Sequence, residues 1–298
     1  MEFWHVQHIT HLFPCDFFIE EIECFIAESR MENREAVSKE LDEIRPTHVL
    51  NAAGITGRPN IGWCETHKPE TIRANIIGML NVADLCHLKN IHCTVYSTGC
   101  IYMYDDEHAL GSNVGYTEED KPNYDDTFYS ETKGYVDPML KCYPNCMTLR
   151  VRMPISDDLY PRNFISKIVK YDKVVNIPNS ITVLHEMLPA SLEMAKNNFT
   201  GVYNFTNPGA ISHNQVLDLY KKYIDPTYTY KNFTAEEQAK MARSNNELDS
   251  TKLMKDLPEG LVVNDVHTAV ELCFQRMKAN LTELGWLPDN LPAEFKRN

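Results

Sequence analysis

Tyr129 and Lys133 have the side-chain types and the spacing needed to move a proton to or from a carbonyl oxygen. They are four residues apart, so on a helix they share one face, one turn from each other. A phenol has a pKa near ~10, and a neighbouring ammonium lowers that pKa because it favours the phenolate. Such a phenol can exchange a proton with a substrate oxygen near neutral pH. The pair predicts the proton-transfer half of a carbonyl reduction, in which a cofactor has to supply the hydride.

A second hydroxyl lies upstream of the pair, where an apolar segment ends in Ser97-Thr98-Gly99. Thr98, or alternatively Ser97, would hydrogen-bond the same substrate oxygen. A Tyr-x-x-x-Lys pair by itself often occurs by chance on amphipathic helices. Its position after a strand that ends in Ser-Thr-Gly favours the catalytic interpretation.

The elements that would position these residues alternate between strands and helices. The predicted strands are Glu2–Ile9, Thr47–Asn51, Ile91–Thr98 and Met147–Met153; the predicted helices are Glu35–Ile44, Thr66 or Pro69 to Leu88, and Phe128–Lys141; Phe17–Ala27 is predicted as a helix or a strand. Strands that alternate with helices of this length predict an α/β fold with a doubly wound, mostly parallel, Rossmann-like sheet.

Small residues follow the strand predicted at Thr47–Asn51. Ala52, Ala53 and Gly54 would lie at its carboxyl end, in the crevice where doubly wound sheets bind nucleotides. Because small side chains allow close approach, we expect the run from Asn51 to Gly54 to contact a dinucleotide.

The alternation of strands and helices weakens beyond Pro154. We therefore predict a dinucleotide-binding-type domain over residues 1–155 and a smaller C-terminal substrate lobe over residues 156–298, interleaved with the first. Ser212 is a good cap for a helix reaching Tyr223, and Asp265–Leu284 has the longest helical pattern.

Composition excludes several classes of protein. The 298 residues are 43% apolar and 24% charged, as in ordinary soluble proteins, and their formal net charge is −13. That charge argues against nucleic-acid and anionic-membrane partners. No apolar run approaches the ~20 residues of a membrane span. The nine cysteines show no metal-ligand spacing, so we predict no metal site and a reducing, cytoplasmic location.

Eight ordered runs resemble one family. They are Asn51–Asn60, Trp63–Glu65, Ser97–Ile101, Phe128–Lys133, Leu149–Ser156, Pro161–Phe164, Tyr203–Pro208 and Arg243–Asp249. The chain is similar, roughly from Arg30 to Leu257, to the plant-type nucleotide-rhamnose synthases, epimerase-reductases of the extended short-chain dehydrogenase/reductase superfamily. The resemblance implies conversion of UDP- or dTDP-4-keto-6-deoxyglucose to the rhamnose nucleotide. C3 and C5 are epimerised, and C4 is then reduced with NADPH or NADH. Homodimers are customary in that superfamily, so the resemblance implies that this chain forms a homodimer.

The resemblance also implies roles for individual residues. Thr98, Tyr129 and Lys133 would serve the reduction, and Cys100 and Lys167 the epimerisation. A thiol and a desolvated lysine can both have a pKa near the working pH, which proton transfer next to a ketone requires. The expected cofactor contacts are Arg30, Asn51, Ala52, Ala53, Gly54, Asn75, Tyr129, Lys133 and Pro154; the expected substrate contacts are Arg58, Asn60, Cys100, Asn163, Lys167 and Arg243, with Arg150, Arg152 and Arg162 as further cationic candidates.

Residues 1–30 depart from the family pattern. A dinucleotide-binding chain normally opens with a strand, a Gly-x-x-Gly-x-x-Gly turn and a helix, yet the first glycine here is Gly54. Three interpretations stay open. The chain is a working enzyme with a divergent or mispredicted first exon, an epimerase that does not reduce, or a silent relative that acts as a regulatory subunit. The third has a precedent in the reductase-like β subunit of methionine adenosyltransferase.

Overall fold

The computed structural model describes residues 2–6, 22–56, 60–160, 163–239, 241, 243–287 and 290–292. Their strands are β1 Glu2–Val6, β2 Glu23–Ala27, β3 His48–Asn51, β4 His92–Thr98, β5 Cys146–Val151 and β6 Gly201–Asn204. Their helices are α1 Arg34–Ile44, α2 Trp63–Thr66, α3 Lys68–Ile72, a π-helix Arg73–Gly78, α4 Met79–Leu88, α5 Phe128–Leu140, α6 Phe164–Ile168, α7 Leu184–Lys196, α8 His213–Tyr223, α9 Ala235–Ala239, α10 Thr251–Asp256 and α11 Val266–Glu283.

The chain divides into two compact units. The first unit contains residues 1–103, 118–150 and 191–204, and the second unit contains residues 104–117, 151–190 and 205–298. The predicted division at residues 155 and 156 stays a prediction. Each unit has its own apolar core. In the first unit it includes Val49 and Met79, and in the second unit Ile165 and Phe274.

The sheet of the first unit confirms the predicted doubly wound α/β fold. The strand order is β2-β1-β3-β4-β5-β6, and the registered pairs β1–β2, β1–β3, β3–β4 and β5–β6 are parallel. The chain passes from β1 to β2 on one side and then crosses to β3 on the other. In such sheets ligands bind where the strand order reverses, at the carboxyl ends of the strands on either side. The crevice therefore lies beyond β1 and β3. Residues 7–21, where the missing glycine turn was expected, lie outside the described residues.

The helix predicted from Thr66 or Pro69 to Leu88 is interrupted. It consists of α3, the π-helix and α4, with α2 as a separate turn before it. π-Helical turns inside α-helices are often found at functional sites, because the extra residue redirects a side chain. Gly78 ends the π-helix against the segment after β2, where a Cβ would lie 2.8 Å from the Cβ of Met31. Only glycine allows this close packing.

Side chains cap the starts of two helices in the second unit, and the cap at Ser212 was predicted. Ser212 and Gln215 form a reciprocal capping box at the start of α8. Asp265 accepts backbone N–H bonds from His267 and Thr268 at the start of α11. Within the part of the chain that the structure describes, no helix is long and apolar enough to cross a membrane.

Candidate active site

Helix α5 carries Tyr129 and Lys133, and two side chains satisfy its first backbone N–H groups. Thr127 Oγ1 accepts from the N–H of Ser130 at 3.2 Å. Glu65 Oε1 accepts from the N–H of Phe128 at 2.8 Å. An anion at a helix N-terminus is stabilised by the unpaired N–H groups and the helix dipole. Glu65 therefore fixes the start of the helix immediately before Tyr129.

Lys133 is buried beside the carboxyl end of β3. Lys133 is 4% exposed, and Tyr129 is 8% exposed. A Cβ built on Gly54 would lie 3.5 Å from Lys133 Nζ. Burial lowers the pKa of Lys133 to about 8, while the nearby Asp137 carboxylate acts in the opposite direction. An ammonium with this pKa is largely charged at neutral pH but gives up its proton only slightly above it.

Asn75 braces the segment after β3 from within the π-helix. Its Oδ1 accepts from the N–H of Ile55 at 2.8 Å, and its Nδ2 donates to the carbonyl of Ile55 at 2.9 Å. A Cβ on Gly54 would lie 3.3 Å from Asn75 Oδ1, closer than most side-chain contacts. Glycine thus gives Asn75 room beside the strand end, where a side chain would make it shift slightly. Asn51 fixes the start of the same segment through an Oδ1 bond to the N–H of Ala53 at 3.1 Å.

Thr98 ends β4, the strand beside β3, and α5 packs against that strand. Thr98 is 6% exposed, and its Oγ1 accepts from the N–H of Cys100 at 3.1 Å. This bond holds the turn that carries the Cys100 thiol, which is partly exposed. The first unit therefore places Gly54, Asn75 and Lys133 beside one another, with Thr98 and Cys100 on the adjacent strand end.

Of the other predicted site residues with described positions, Arg30, Asn60 and Arg150 belong to the first unit and the rest belong to the second unit. Pro154 and Lys167 are exposed, Lys167 on the last turn of α6. Asn163 is buried and caps α6. Its Oδ1 accepts from the N–H of Ile165 at 3.1 Å, and its Nδ2 donates to the carbonyls of Ser156 at 2.8 Å and Asp158 at 2.7 Å. Its amide is thus engaged within the loop, and its substrate contact stays a prediction.

Arg243 is half-buried in the second unit, and Asn60 is exposed in the first. Arg243 Nη2 lies 3.3 Å from Nε2 of His213. Burial, with Arg243 and Arg152 nearby, lowers the pKa of His213 to about 3, so that the ring is neutral near Arg243. Asn60 Oδ1 accepts from the N–H of Gly62 at 2.9 Å. Arg58 and Arg162 lie outside the described residues.

Two of the cationic candidates, Arg150 and Arg152, are wrong as contacts to the sugar or the pyrophosphate. Arg150 is 3% exposed and donates to both carboxylate oxygens of Asp137, at 3.2 and 2.6 Å. Arg152 is 1% exposed and donates to Ser244 and Asn179 inside the second unit. A guanidinium that is this deeply buried and bonded to internal partners is not accessible to a ligand. Asp137 follows Lys133 at the same four-residue spacing that separates Lys133 from Tyr129, so the three side chains lie on one face of the helix. This spacing could have marked Asp137 as a neighbour of Lys133 from the sequence, but it was not used.

The first unit also has a cleft with three arginines, which we call the arginine cleft. It has a volume of about 450 Å³ and is lined by Arg30, Glu32, Asn33, Arg34 and Arg73. The segment after β2, the start of α1 and the start of the π-helix supply these residues. Arg30 pairs with Glu32 at 3.3 Å on the surface, and Arg34 pairs with Asp84. Exposed ion pairs of this kind are weak, so the cleft can accept an anion at little cost.

These features fit a nicotinamide dinucleotide. Gly54 and the alanines before it leave room at the carboxyl edge of the sheet, and a Cβ at Gly54 would make a tight contact with Asn75. Lys133 would hold hydroxyl groups of the nicotinamide ribose, and the arginine cleft would hold negative charge at the adenosine end. Among the described residues, no three His, Cys, Asp or Glu side chains are grouped so that they could hold a metal ion.

Comparisons with known proteins agree with this geometry. Residues 7–171 match the NAD dependent epimerase/dehydratase family. The bifunctional dTDP-4-dehydrorhamnose 3,5-epimerase/dTDP-4-dehydrorhamnose reductase of Arabidopsis thaliana is 56% identical over 240 residues, which are 79% of this chain and 80% of that protein. A trifunctional UDP-glucose 4,6-dehydratase/UDP-4-keto-6-deoxy-D-glucose 3,5-epimerase/UDP-4-keto-L-rhamnose-reductase of the same plant is 55% identical, with 79% of this chain aligned to 36% of its length.

Solved structures show the same fold. The crystal structure of the L780 UDP-rhamnose synthase of Acanthamoeba polyphaga mimivirus has a TM-score of 0.83 and 34% identity, and covers 92% of this chain and 99% of that one. The dTDP-4-dehydrorhamnose reductase of Bacillus anthracis, solved with NADP, has a TM-score of 0.77 at 17% identity, and covers 94% of this chain and 99% of that one. At that identity it supports the fold alone. The chain belongs to the NAD dependent epimerase/dehydratase family, in the branch of the nucleotide-rhamnose epimerase/reductases.

Proposed function

We propose that this protein is a nucleotide-sugar 3,5-epimerase/4-reductase that converts UDP- or dTDP-4-keto-6-deoxyglucose to the rhamnose nucleotide with a nicotinamide cofactor. The observation that carries the proposal is the Tyr129–Lys133 turn of α5, with Lys133 Nζ buried against Gly54 at the edge of the sheet. The relative at 56% identity, whose name states both an epimerase and a reductase activity, supports the same reaction.

The reduction uses Tyr129 as the proton donor. The bound dinucleotide would supply a hydride to C4, and the negative charge that develops on the C4 oxygen needs a proton. Tyr129 gives that proton from its phenol, and Thr98 hydrogen-bonds the same oxygen. The Lys133 ammonium stabilises the phenolate that remains, since an opposite charge nearby favours the ionised form. Burial excludes water from this turn and strengthens the interaction.

The epimerisation requires a base and an acid next to a ketone. One group removes the proton at C3 or C5, and the electron pair of the C–H bond moves onto the C4 oxygen as an enolate. The second group then protonates the carbon from the other face. Cys100 and Lys167 are the proposed pair, on the family resemblance.

We propose NADPH rather than NADH as the cofactor, with its adenosine 2′-phosphate in the arginine cleft. Three arginines line the cleft, and guanidinium groups suit a phosphate dianion. Arg30→Ala is expected to raise the KM for NADPH about tenfold and to leave the KM for NADH nearly unchanged, because one charge-assisted bond to the phosphate is lost. Steady-state kinetics with both cofactors measure this difference.

Lys39→Ala is the matched control for Arg30→Ala. Lys39 is an exposed cation on α1 that pairs with Glu43 and does not line the cleft. It should leave both KM values at the wild-type level. An equal rise of the KM for NADPH and for NADH in Arg30→Ala would show that Arg30 does not contact a 2′-phosphate.

The function as a whole is tested by solvent deuterium. The purified chain is incubated in D₂O with UDP-4-keto-6-deoxyglucose, with and without NADPH, and the products are analysed by mass spectrometry and NMR. Exchange at C3 and C5 without NADPH, followed by UDP-rhamnose formation with NADPH, is the expected result. Exchange without reduction would leave an epimerase only. Absence of both, together with no saturable NADPH fluorescence up to millimolar concentration, would refute the enzymatic proposal.

The homodimer and the cytoplasmic location remain proposals. Exposed apolar side chains lie on two contacting helices of the first unit: Ile77 on the π-helix is 45% exposed, and Tyr135 and Met139 on α5 are 55% and 47% exposed. An apolar surface of this kind suits association with a second copy. Sedimentation equilibrium distinguishes a dimer from a monomer, and imaging of a tagged full-length protein tests the location.

A further inference from the structure

A buried ion pair lies one turn beyond Lys133 on helix α5. Asp137 follows Lys133 at the same spacing that separates Lys133 from Tyr129, so the three share one stripe of the helix. Asp137 is 1% exposed. Arg150, in β5, donates from Nε to Asp137 Oδ1 at 3.2 Å and from Nη2 to Oδ2 at 2.6 Å. Two parallel bonds fix the carboxylate in position and in orientation.

Arg150 is itself held by the rest of the first unit. Its guanidinium lies over the ring of Tyr102, 5.5 Å from the ring centroid. Its Nη1 donates to the carbonyl of Glu118 at 3.5 Å, and the Tyr102 hydroxyl donates to the carbonyl of Asp120 at 2.8 Å. Through Arg150, the segment that follows β4 is therefore tied to the turn of α5 beyond Lys133.

The backbone of α5 needs such a tie at this turn. Pro138 lies inside the helix and has no N–H, so it cannot donate to the carbonyl of Gly134. The residue before a proline is also disfavoured in the helical conformation, and that residue is Asp137. The helix is thus weakest directly after Lys133, where the Arg150–Asp137 pair holds it.

The charged group that acts on Lys133 is the Asp137 carboxylate of this pair. Gly54 and Asn75, which approach it from the edge of the sheet, are uncharged. On its own helix the neighbours along the stripe are the Tyr129 phenol and the Asp137 carboxylate. Burial lowers the pKa of Lys133 and Asp137 raises it. Arg150 is the paired cation of the Asp137 carboxylate, with Nη2 at 2.6 Å from Oδ2.

We propose that Arg150 and Asp137 are positioning residues for the reduction: their ion pair fixes the turn of α5 that carries Lys133 and holds the Asp137 carboxylate on the face of the helix that Lys133 occupies. The inference rests on the proposed function for its catalytic meaning, but not for its physical test. Removal of the pair should make Lys133 lose its proton at a lower pH. If the pair had only a structural role, its removal would lower the free energy of unfolding but would not change the pH at which Lys133 loses its proton.

The test uses the full chain with ¹³Cε-labelled lysine, titrated by NMR without cofactor or substrate. The Lys133 resonance is the one that is absent from Lys133→Met. In the double variant Asp137→Leu/Arg150→Met, which replaces the pair by apolar side chains of similar length, Lys133 is expected to titrate about one pH unit lower. A folded double variant in which Lys133 titrates as in the wild type overturns the proposal, whatever its melting temperature.

Arg150→Lys provides the second arm. It keeps both charges but cannot form two parallel bonds, so Lys133 should titrate as in the wild type while kcat for the reduction falls about tenfold with little change in KM. Glu119→Gln is the matched control, since it removes an exposed ion pair between Lys141 at the end of α5 and Glu119. It should change neither the titration nor the rate.

If the double variant does not fold, the Arg150→Lys variant still tests the positioning role. An unchanged kcat in a folded Arg150→Lys would overturn the positioning role. If the wild type shows no reduction at all, the proposed function fails, and the NMR titration still tells whether the ion pair controls the charge of Lys133.

Discussion

Tyr129→Phe is expected to lower the rate of C4 reduction by about 10² to 10⁴-fold while deuterium exchange at C3 and C5 continues. The phenol supplies the proton to the C4 oxygen, and phenylalanine has no group that can replace it. The ring itself should still pack, since the Tyr129 residue is 8% exposed and its neighbours on α5 do not change. Reduction is measured by NADPH consumption, and exchange by mass spectrometry in D₂O.

Tyr143→Phe is the control for this variant. Tyr143 follows α5 and donates only a weak bond to Asp84 at 3.4 Å, so loss of its hydroxyl should leave both reactions intact. Reduction by Tyr129→Phe within tenfold of the wild-type rate would exclude Tyr129 as the proton donor. Loss of exchange together with reduction would mean that the substitution disrupts sugar binding rather than proton transfer.

The second large effect is a loss of stability in acid that originates at His48. This residue in β3 is paired in register with His92 in β4; the two are 4% and 7% exposed, with ring centroids 5.1 Å apart. Burial, and secondly the His92 ring, lower the pKa of His48 to about 4. Burial also lowers the pKa of His92, whose Nε2 lies 2.7 Å from the carbonyl oxygen of Phe199.

The sign of the effect follows from the two protonation states. Between about pH 6.5 and pH 4 the unfolded chain binds a proton at His48, whereas the folded chain does not. The free energy of unfolding therefore falls as pH falls through that interval, by up to about 3 kcal/mol from His48 alone. Above the unfolded pKa the contribution to stability is constant. Urea unfolding at pH 7 and at pH 4.5 measures the difference.

His48→Gln should remove most of this acid-dependent loss, since glutamine does not titrate, even if the variant is less stable at pH 7. His267→Gln is the control, because His267 is exposed at the start of α11 and should leave the difference between the two pH values unchanged. Equal losses in the wild type and in His48→Gln would show that His48 is not the source.

Much of the first unit could be predicted from local sequence. The predicted helix Phe128–Lys141 is observed as Phe128–Leu140, and the predicted strand Ile91–Thr98 as His92–Thr98. Apolar periodicity and capping residues act within a few positions, so they are visible in the sequence. The π-helix was not predicted, because its extra residue per turn is stabilised by contacts with distant segments, such as Asn75 with Ile55 and Gly78 with Met31.

The arginines show the opposite case. Arg150 and Arg152 are two residues apart and were both candidate substrate contacts, yet both are buried with internal partners. Nothing in the residue type distinguishes a guanidinium that meets a ligand from one that closes a core. The difference depends on whether a carboxylate or a set of carbonyls from another segment arrives at the same place.

The sequence by itself determined the chemistry that is available: a phenol and an amine one helical turn apart, a hydroxyl at a strand end, and small residues at another. Those relations are set by the helical repeat and by the order of the elements. Only the tertiary structure decided the state of the amine. Lys133 is buried against Gly54, and the Asp137 carboxylate that acts on its charge is paired with Arg150. Gly54 and Arg150 belong to segments that are distant from Lys133 along the chain, so its burial and surroundings depend on the tertiary structure.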